Sequence, residues 1–286
     1  MVTTSIKPTE SSPPSYALGY TNAEHERLIR QAARIAPVTE RLFREAGIGR
    51  GQRVLDLGSG VGDVAMLVAQ IVGPSGEVLG IERDASSIAR AKARVAEAGW
   101  RNVSFTQTDV NQTVSEKPFD AAVGRFILMF LPDPVSVLGS VVQLVRPGGV
   151  LAFQEPSMLA LGAGLPLWSR TRHLIHETLL RSGANREMGL ALYRVFQEAG
   201  LPAPKMHLEM PLGSDTDFIR LTSDLLCSLR PLAEQHKVSL KELGDLDTLP
   251  DRICAEVSAA NTVVSLIAVV GAWSRKPIYS SSPRTP

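Results

Sequence analysis

Short apolar runs alternate with amphipathic stretches along the first half of the chain, and glycine or proline separates most of them. Strand-like runs lie at residues 53–57, 77–81, 103–106, 119–123 and 150–154, with helix-like stretches at 64–72, 85–98 and 134–144. Strands and helices that alternate at this spacing are typical of parallel strands joined by crossover helices. The pattern therefore predicts an α/β fold with a doubly wound, mostly parallel sheet.

The flanking regions follow a different rhythm. Residues 21–47 have helical periodicity and end at a glycine, which predicts an amphipathic helix. Beyond Pro156 the pattern predicts helices at 167–182, 188–199, 215–229 and 250–259 and strands at 206–212 and 263–273. We expect these helices to form a cap over the strand ends. The two late strands would complete the sheet as a hairpin-like edge.

These elements predict one domain over residues 16–275. It divides into a helical N-terminal lid (16–47), a core that binds a ligand (48–156), a helical cap with one late strand (157–260) and the last strand (261–275). The two ends of the chain, 1–15 and 276–286, are rich in serine and proline. Such composition cannot bury much apolar surface, so we expect disordered tails there.

Composition narrows the class of protein. With 286 residues, 44% of them hydrophobic and 21% charged, the chain has enough apolar surface for a core. A formal net charge of +1 gives no field for nucleic acid or an anionic membrane, and the longest apolar stretch, about 12 residues, is too short to cross a bilayer. Cys227 and Cys254 lie outside any metal-binding or disulfide pattern. We expect a cytoplasmic protein with core cysteines, no metal and a small-molecule partner; the oligomeric state stays open.

A glycine-rich turn follows the first predicted strand, at residues 58–62 (GSGVG). Glycines between a strand and a helix let backbone N–H groups approach a ligand closely. Glu82 ends the second strand, where a carboxylate can accept hydrogen bonds from a ribose, and Asp109 follows the third, where it can accept one from an exocyclic amine. Together these features predict a nucleoside pocket.

Charge decides which nucleoside fits. Asp56 precedes the turn and Asp63 follows it, and the glycine spacing is GxGxG rather than the dinucleotide GxGxxG. Two carboxylates would repel a pyrophosphate by about 1 kcal/mol or more at partial burial, whereas they would attract ammonium and sulfonium groups. S-adenosylmethionine has those charges and no phosphate. We also expect Asp63 to cap the helix that it starts.

Five segments in order support this choice: VLDLGSGVGD (54–63), GIERD (80–84), TDV (108–110), FDAAV (119–123) and LVRPGG (144–149). Over residues 16–273 they resemble the class I S-adenosylmethionine-dependent methyltransferases, in particular the ubiquinone/menaquinone-type branch that acts on small molecules. The resemblance implies a Rossmann-like sheet of seven strands in which the last strand is antiparallel.

The resemblance also implies roles for individual residues. The methionine end of the cofactor would meet Gly58, Ser59, Gly60, Arg125 and Phe126, with Asp56 supporting the loop or the ammonium group. The adenosine end would meet Glu82 at the ribose and Arg83, Asp109 and Val110 at the adenine. Apart from the resemblance, the position of Tyr20 and His25 near the start of the chain suggests a lid over the cofactor, and His25 would otherwise be an exposed helix residue.

The acceptor side is marked less clearly. Methyl transfer is an in-line displacement that mainly needs alignment and a dry site, so no metal or covalent residue is required. His173, His176 and Arg125 are the candidates for a catalytic role, although packing suits the two histidines better. Gln154 and Glu155 would face the substrate or bond within the protein. An apolar chamber would be built from residues of the later helices: Trp168, Met188, Phe218 and Leu225.

The sequence thus favours methyl transfer from S-adenosylmethionine to a small aromatic or otherwise apolar molecule, with an oxygen, nitrogen or carbon acceptor. Two alternatives stay open at this point. One is a nicotinamide-dependent oxidoreductase on the same kind of sheet, which Asp63 and the glycine spacing argue against. The other is a protein that binds the nucleoside without turnover.

Overall fold

The structure is a computed structural model that describes residues 19–159 and 164–278. Its strands are β1 (Arg53–Leu57), β2 (Glu77–Glu82), β3 (Val103–Gln107), β4 (Phe119–Arg125), β5 (Val145–Ser157), β6 (Lys205–Glu209), β7 (Leu212–Gly213), β8 (Val264–Ser265) and β9 (Ala268–Arg275). Its helices are α1 (Asn22–Ala46), α2 (Asp63–Val72), α3 (Ala85–Glu97), α4 (Pro134–Leu144), α5 (Pro166–Arg181), α6 (Met188–Glu198), α7 (Thr216–Gln235) and α8 (Leu249–Ala259).

Seven strands form one sheet in the order β3-β2-β1-β4-β5-β9-β6. The pairs from β3 to β5 are parallel, whereas β9 runs antiparallel to both β5 and β6. The chain order reverses between β1 and β4, which is where such sheets open a crevice beyond the carboxyl ends of the strands. The predicted doubly wound sheet and its antiparallel last strand are confirmed.

Apolar residues cover both faces of the sheet, because alternate side chains of a strand point to opposite sides. On one face, Val54 and Val78 pack with α2, α3 and the end of α1. On the other face, Leu55 and Phe153 pack with α4, α6 and the cap helices. Helices α5, α7 and α8 pack against one another in that cap.

Helix α1 begins and ends at the residues that the sequence indicates. Thr21 accepts a hydrogen bond from the Glu24 N–H, and Gly47 ends the helix with a left-handed backbone at φ 90°. Its Arg30 and Arg34 form ion pairs with Asp224 and Asp215 of α7. These contacts place α1 along the side of the cap.

The late strands are shorter than predicted and are divided. The run 206–212 is split between β6 and β7, and the run 263–273 between β8 and β9. Among the described residues, β7 and β8 pair with each other and with no other strand, and the Leu266 N–H donates to the Pro211 carbonyl between the two parts. A proline cannot donate to a strand ladder, so it interrupts the run.

Some boundary predictions were wrong. Strand β5 starts at Val145 rather than at residue 150, because Val145 already pairs with Phe119 of β4. Lys276 is not part of a loose tail: its ammonium group donates to the carbonyls of Val142 and Val145. Cys227 is exposed and Cys254 is only half-buried, so neither is a core residue. The predictions for residues 1–18 and 279–286 lie outside the described residues.

Candidate functional site

A cavity of about 250 Å³ lies beyond the carboxyl ends of the parallel strands. Ten of the eleven residues predicted from the sequence to bind a cofactor line it: Tyr20, Gly58, Ser59, Gly60, Glu82, Arg83, Asp109, Val110, Arg125 and Phe126. The eleventh, Asp56, is buried and is not among the described residues that line the cavity. The turns that follow β1 to β4 thus meet at one place, as the topology requires.

The glycine turn has a backbone that few other residues adopt. Gly58, Gly60 and Gly62 have φ angles of 61°, 50° and 88°, in the left-handed region. A Cβ on Gly58 would lie 2.5 Å from Cδ1 of Ile127, whereas a Cβ on Gly60 would meet nothing within 4 Å. Glycine at 58 therefore permits close packing against the turn after β4.

Glu82 fastens the glycine turn to the end of β2. Its Oε2 accepts a hydrogen bond from the Gly60 N–H at 3.0 Å, and its Oε1 accepts from the N–H groups of Arg83 (2.8 Å) and Asp84 (3.0 Å). A carboxylate has about four acceptor sites, so Oε2 keeps the capacity for a further donor from the cavity. One side chain thus shapes the turn and offers an acceptor to a ligand.

The first turns of α1 form a wall beside this end of the cavity. Nε of Arg83 donates to the Tyr20 hydroxyl at 3.2 Å, and burial raises the pKa of Tyr20. The buried His25 ring lies 3.3 Å from the Ser87 hydroxyl. Tyr20 and His25 both line the cavity, and His25 is buried rather than exposed. Their role in a lid stays a prediction.

Charge is concentrated below and beside the glycine turn. Burial raises the pKa of Asp56 well above its ordinary value, and the negative charges of Glu82 and Asp63 raise it further, against the attraction of Arg125. Burial lowers the pKa of Arg125, while Asp63 and Asp56 counteract that effect. The site therefore combines one buried carboxyl group with a guanidinium that faces the cavity.

Asp63 does not cap α2 with its side chain, so that prediction was wrong. Gly62 is the N-cap residue and makes no side-chain bond, while Asp63 forms an ion pair with Arg94 of α3 at 2.7 Å. Arg94 also donates to the Val61 carbonyl at 2.6 Å. The carboxylate still lies in the first turn of the helix, where the dipole favours it.

The turn after β4 is held from several sides. Phe126 has a φ of 56°, which a non-glycine residue rarely adopts, and its N–H donates to the Gln154 carbonyl. Arg125 donates to the Thr39 hydroxyl at 3.1 Å, and that hydroxyl donates to Oε1 of Gln154 at 2.7 Å. Glu155 accepts hydrogen bonds from the N–H groups of residues 127–129. Gln154 and Glu155 thus form hydrogen bonds within the protein, which is one of the two roles that the sequence predicts for them.

Many of the described residues that line the cavity are apolar. One group of them comes from the turn after β4, from α1, α5 and α7, and from the β8–β9 connection: Leu28, Ile35, Ile127, Met129, Phe130, Leu131, Leu179, Leu221, Leu225, Leu266 and Ile267. Of the predicted chamber only Leu225 is among them; Trp168, Met188 and Phe218 are buried core residues. Helical periodicity identified these apolar residues but not the cluster in which each one lies.

Neither candidate histidine reaches this cavity in the described part of the chain. His173 is exposed on α5, and His176 is half-buried on the same helix. Burial, together with Arg172, Arg186 and His173, lowers the pKa of His176 to about 4. His176 is therefore a neutral packing residue at physiological pH, and Arg125 is the candidate that faces the cavity.

Helix α1 contributes lining residues that the sequence did not single out. Arg27 and Gln31 line the cavity; Arg27 is buried and pairs with Glu24 at 2.6 Å. Its Nη1 also donates to Gln31 at 2.7 Å. The spacing of Glu24, Arg27 and Gln31 along one helix face was a usable signal, but the same spacing is common on solvated helices.

Two buried polar atoms below and beside the glycine turn have no hydrogen-bond partner in the described residues: Oδ2 of Asp56 and Oγ of Ser59. Buried polar atoms are normally bonded. Ser59 lines the cavity, so its hydroxyl indicates a missing polar ligand there, whereas Asp56 is not among the described lining residues. Together with Glu82 and Asp109, Ser59 suits a ligand that brings hydroxyl and amine donors. The residues present therefore fit an adenosine derivative that carries an amino-acid tail.

Fold and site together define an α/β protein of the doubly wound class with a cavity beyond the carboxyl ends of its parallel strands. A family model described as a methyltransferase domain matches residues 48–200, which is more than half of the chain. The chain therefore belongs to the methyltransferase domain family. The match covers the core from the end of α1 to α6, including the glycine turn.

Curated relatives match a shorter part. An arsenite methyltransferase of Aquipseudomonas alcaligenes is 39% identical over 113 residues, which are 37% of this chain and 33% of the relative. A ubiquinone/menaquinone biosynthesis C-methyltransferase of Coxiella burnetii is 32% identical over 118 residues, or 40% of this chain and 47% of the relative. The chain thus spans a third to a half of the length of these relatives.

Among solved structures, phosphoethanolamine N-methyltransferase 2 of Haemonchus contortus, in complex with phosphomonomethylethanolamine and S-adenosylhomocysteine, superposes with a TM-score of 0.53. Its identity is 16%, and the match covers 84% of this chain and 52% of that one. At this identity the likeness shows the fold alone.

Within residues 19–159 and 164–278, no helix is both long and apolar enough to span a bilayer.

Proposed function

We propose that this protein transfers a methyl group from S-adenosylmethionine to a small aromatic or otherwise apolar molecule, and that residues 16–275 act as one methyltransferase domain. The observation that carries the proposal is a single cavity whose lining includes both the polar groups predicted to bind a nucleoside and a set of apolar side chains. We call these two sets of lining residues the nucleoside half and the apolar half. Glu82 and Asp109 belong to the first half, and Leu221 and Leu225 belong to the second. Membership of a methyltransferase family supports the reaction type.

In this proposal the cofactor supplies a methyl group already activated by the positive charge on sulfur. Glu82 accepts from the ribose hydroxyls with its remaining capacity, and Asp109 accepts from the adenine amine while Val110 supports the ring. The glycine turn approaches the methionine part, and the buried Asp56 supports that turn. Arg125 and Phe126 border the reacting centre. The protein thus binds and aligns the two substrates and excludes water, which is what an in-line displacement needs.

The lining of the cavity argues for the class of acceptor. An apolar wall excludes water and favours an aromatic or aliphatic body by burial of apolar surface. A soft metalloid such as arsenite, which one relative's name specifies, calls for thiolate ligands. Neither Cys227 nor Cys254 is among the described residues that line the cavity. We therefore favour a small carbon-based acceptor in a cytoplasmic enzyme, with no nucleic-acid partner.

The proposal is tested by incubating the protein with S-adenosylmethionine and panels of small phenols, quinols, amines and carboxylic acids. Formation of S-adenosylhomocysteine that depends on an added acceptor, together with the methylated product, is measured by mass spectrometry. Binding of S-adenosylhomocysteine is measured by calorimetry in parallel, with NAD as the comparison ligand. Tight binding of NAD without binding of S-adenosylhomocysteine would refute the proposal.

One substitution tests whether the two halves of the cavity bind different molecules. Leu225→Trp should fill part of the apolar half, so we expect turnover of any accepted molecule to fall at least tenfold. The dissociation constant of S-adenosylhomocysteine should change less than threefold, because Glu82 and Asp109 lie in the other half. Leu232→Trp on the same helix is the control, since Leu232 packs in the core and is not a described lining residue. Equal losses in both variants would contradict an acceptor chamber at Leu225.

A further inference from the structure

Glu155 is a fully buried carboxyl group in β5, outside the described lining of the cavity. Its Oε1 accepts hydrogen bonds from the N–H groups of Ile127 (3.0 Å) and Leu128 (2.8 Å), and its Oε2 accepts from that of Met129 (3.3 Å). Three consecutive backbone donors of the turn after β4 thus meet one side chain. A buried N–H group without a partner is costly, so this carboxyl group fixes the path of the turn.

That turn needs such support. Phe126, directly before the three donors, holds a φ of 56°, in the left-handed region. A non-glycine residue keeps this conformation only when its surroundings enforce it. The Phe126 N–H donates to the Gln154 carbonyl, so β5 holds the turn at two successive residues.

The turn after β4 also shapes the ligand site. Ile127 packs so closely on Gly58 that a Cβ there would lie 2.5 Å from its Cδ1. On its other side, a Cβ on Gly124 would lie 2.9 Å from its Cγ2. Ile127 is therefore wedged between the end of β4 and the glycine turn, and Glu155 holds its backbone.

We propose that Glu155 is a positioning residue for methyl transfer: it holds Ile127 against the glycine turn and Phe126 at the edge of the reacting centre. It touches no ligand and acts only through the turn. This inference rests on the proposed function, because the affected site is the one assigned to the methionine part of the cofactor. Burial raises the pKa of Glu155 to about 8, which is consistent with a group that serves as an uncharged acceptor.

A purely structural role of Glu155 would lower stability without a specific effect on ligand binding. Another carboxyl group that binds backbone N–H groups serves as the control. Glu256 of α8 accepts hydrogen bonds from the N–H groups of Leu167 (2.8 Å) and Trp168 (2.9 Å) at the start of α5. It also fixes backbone donors across two elements, yet it is not among the described lining residues. Loss of either carboxyl group should lower stability, but only loss of Glu155 should change the ligand site.

The experiment compares Glu155→Ala, Glu155→Gln and Glu256→Ala with the wild type. Calorimetry gives the dissociation constant of S-adenosylhomocysteine, and thermal unfolding gives the stability. We expect E155A to weaken binding at least tenfold and E256A less than threefold, at a similar loss of melting temperature. E155Q should remain within threefold of the wild type, because its amide oxygen can still accept from Ile127 and Leu128. Once an acceptor is known, E155A should lower kcat more than it changes the acceptor KM.

Other outcomes overturn the inference. Wild-type affinity in folded E155A, or an equal loss of affinity in E256A, would reduce Glu155 to a structural residue while leaving the proposed function intact. If E155A does not fold, Ile127→Ala tests the same wedge, and unchanged affinity in that variant would also overturn the role. If the wild type itself fails to bind S-adenosylhomocysteine, the proposed function fails and this role fails with it.

Discussion

Glu82 shows how one side chain can do two jobs at a ligand site. It accepts hydrogen bonds from three backbone N–H groups, one of them in the glycine turn, and it lines the cavity. In the proposed function, its contribution to binding would therefore include both a direct contact with the ligand and the shape of the turn. Replacement of such a group leaves backbone donors unpaired as well as the ligand hydroxyl.

We expect Glu82→Ala to weaken S-adenosylhomocysteine binding by about 1–3 kcal/mol, because a ribose hydroxyl loses a charged acceptor. Calorimetry measures the change. Glu77→Ala is the matched control: Glu77 begins the same strand, at the opposite end from the cavity, and pairs with Arg53 on the surface. Unchanged affinity in E82A, with a normal fold, would contradict the ribose assignment.

At the scale of residues, the sequence indicated which polar residues line the cavity better than it indicated which apolar residues do. Glycines and carboxylates at strand ends are informative because topology brings strand ends together, so Gly60, Glu82 and Asp109 were identifiable. Trp168 and Leu225 could not be separated in this way. Both are apolar residues on amphipathic helices, and the tertiary packing alone decides which one faces a cavity.

At the scale of elements, the parallel core was predictable because most of its strands are short runs rich in apolar residues, and helical stretches alternate with them at regular spacing. Strand β5 and the late strands were less so, since their limits depend on pairing with distant strands. The glycine turn is the element in which local and distant constraints meet. Its backbone needs glycine, and its packing partner Ile127 lies in another turn of the chain.

We expect Gly58→Ala to be more harmful than Gly60→Ala. Both positions have a left-handed backbone, so both variants pay for the strain, about 1 kcal/mol or more each. Only the Cβ at residue 58 would collide with Ile127. Denaturant unfolding and calorimetry should therefore show lower stability and weaker S-adenosylhomocysteine binding in G58A than in G60A.

Addition of Ile127→Ala to G58A removes the side chain that collides, so it should restore part of the lost stability. Equal effects of the two glycine substitutions, or no recovery in the double variant, would contradict close packing between the two turns.

At the scale of the whole molecule, α1 and the cap helices close a cavity that lies beyond the carboxyl ends of the parallel strands. The sequence predicts a ligand pocket at this place. The closure depends on contacts between remote segments, such as the ion pairs from Arg30 and Arg34 of α1 to α7. The sequence predicted a lid and a cap as elements, but no local pattern encodes which helix faces which. The environment of the buried titratable groups likewise depends on packing. Protonation of these groups therefore changes the stability of the fold.

Glu155 makes the stability of the protein depend on pH. Its pKa is raised from 4.5 to about 8 by burial, against the hydrogen bonds from the N–H groups of Leu128, Ile127 and Met129. Between these values the native state binds a proton that the unfolded state has released, so stability falls as pH rises, by up to about 1.4 kcal/mol per pH unit. His176 has the opposite sign: its pKa is lowered from 6.5 to about 4, so its contribution is complete above pH 6.5. Above pH 6.5 the contribution of His176 is therefore constant. The pKa of the buried Asp56 is also raised, but Asp56 is present in the wild type and in Glu155→Gln alike, so the difference between these two proteins reports on the glutamate. Urea unfolding from pH 6.5 to 8 should show a decline in the wild type that is smaller in Glu155→Gln, which cannot ionise. Parallel declines in the two proteins would mean that Glu155 is already ionised in the native state, and that its hold on the turn is that of a carboxylate.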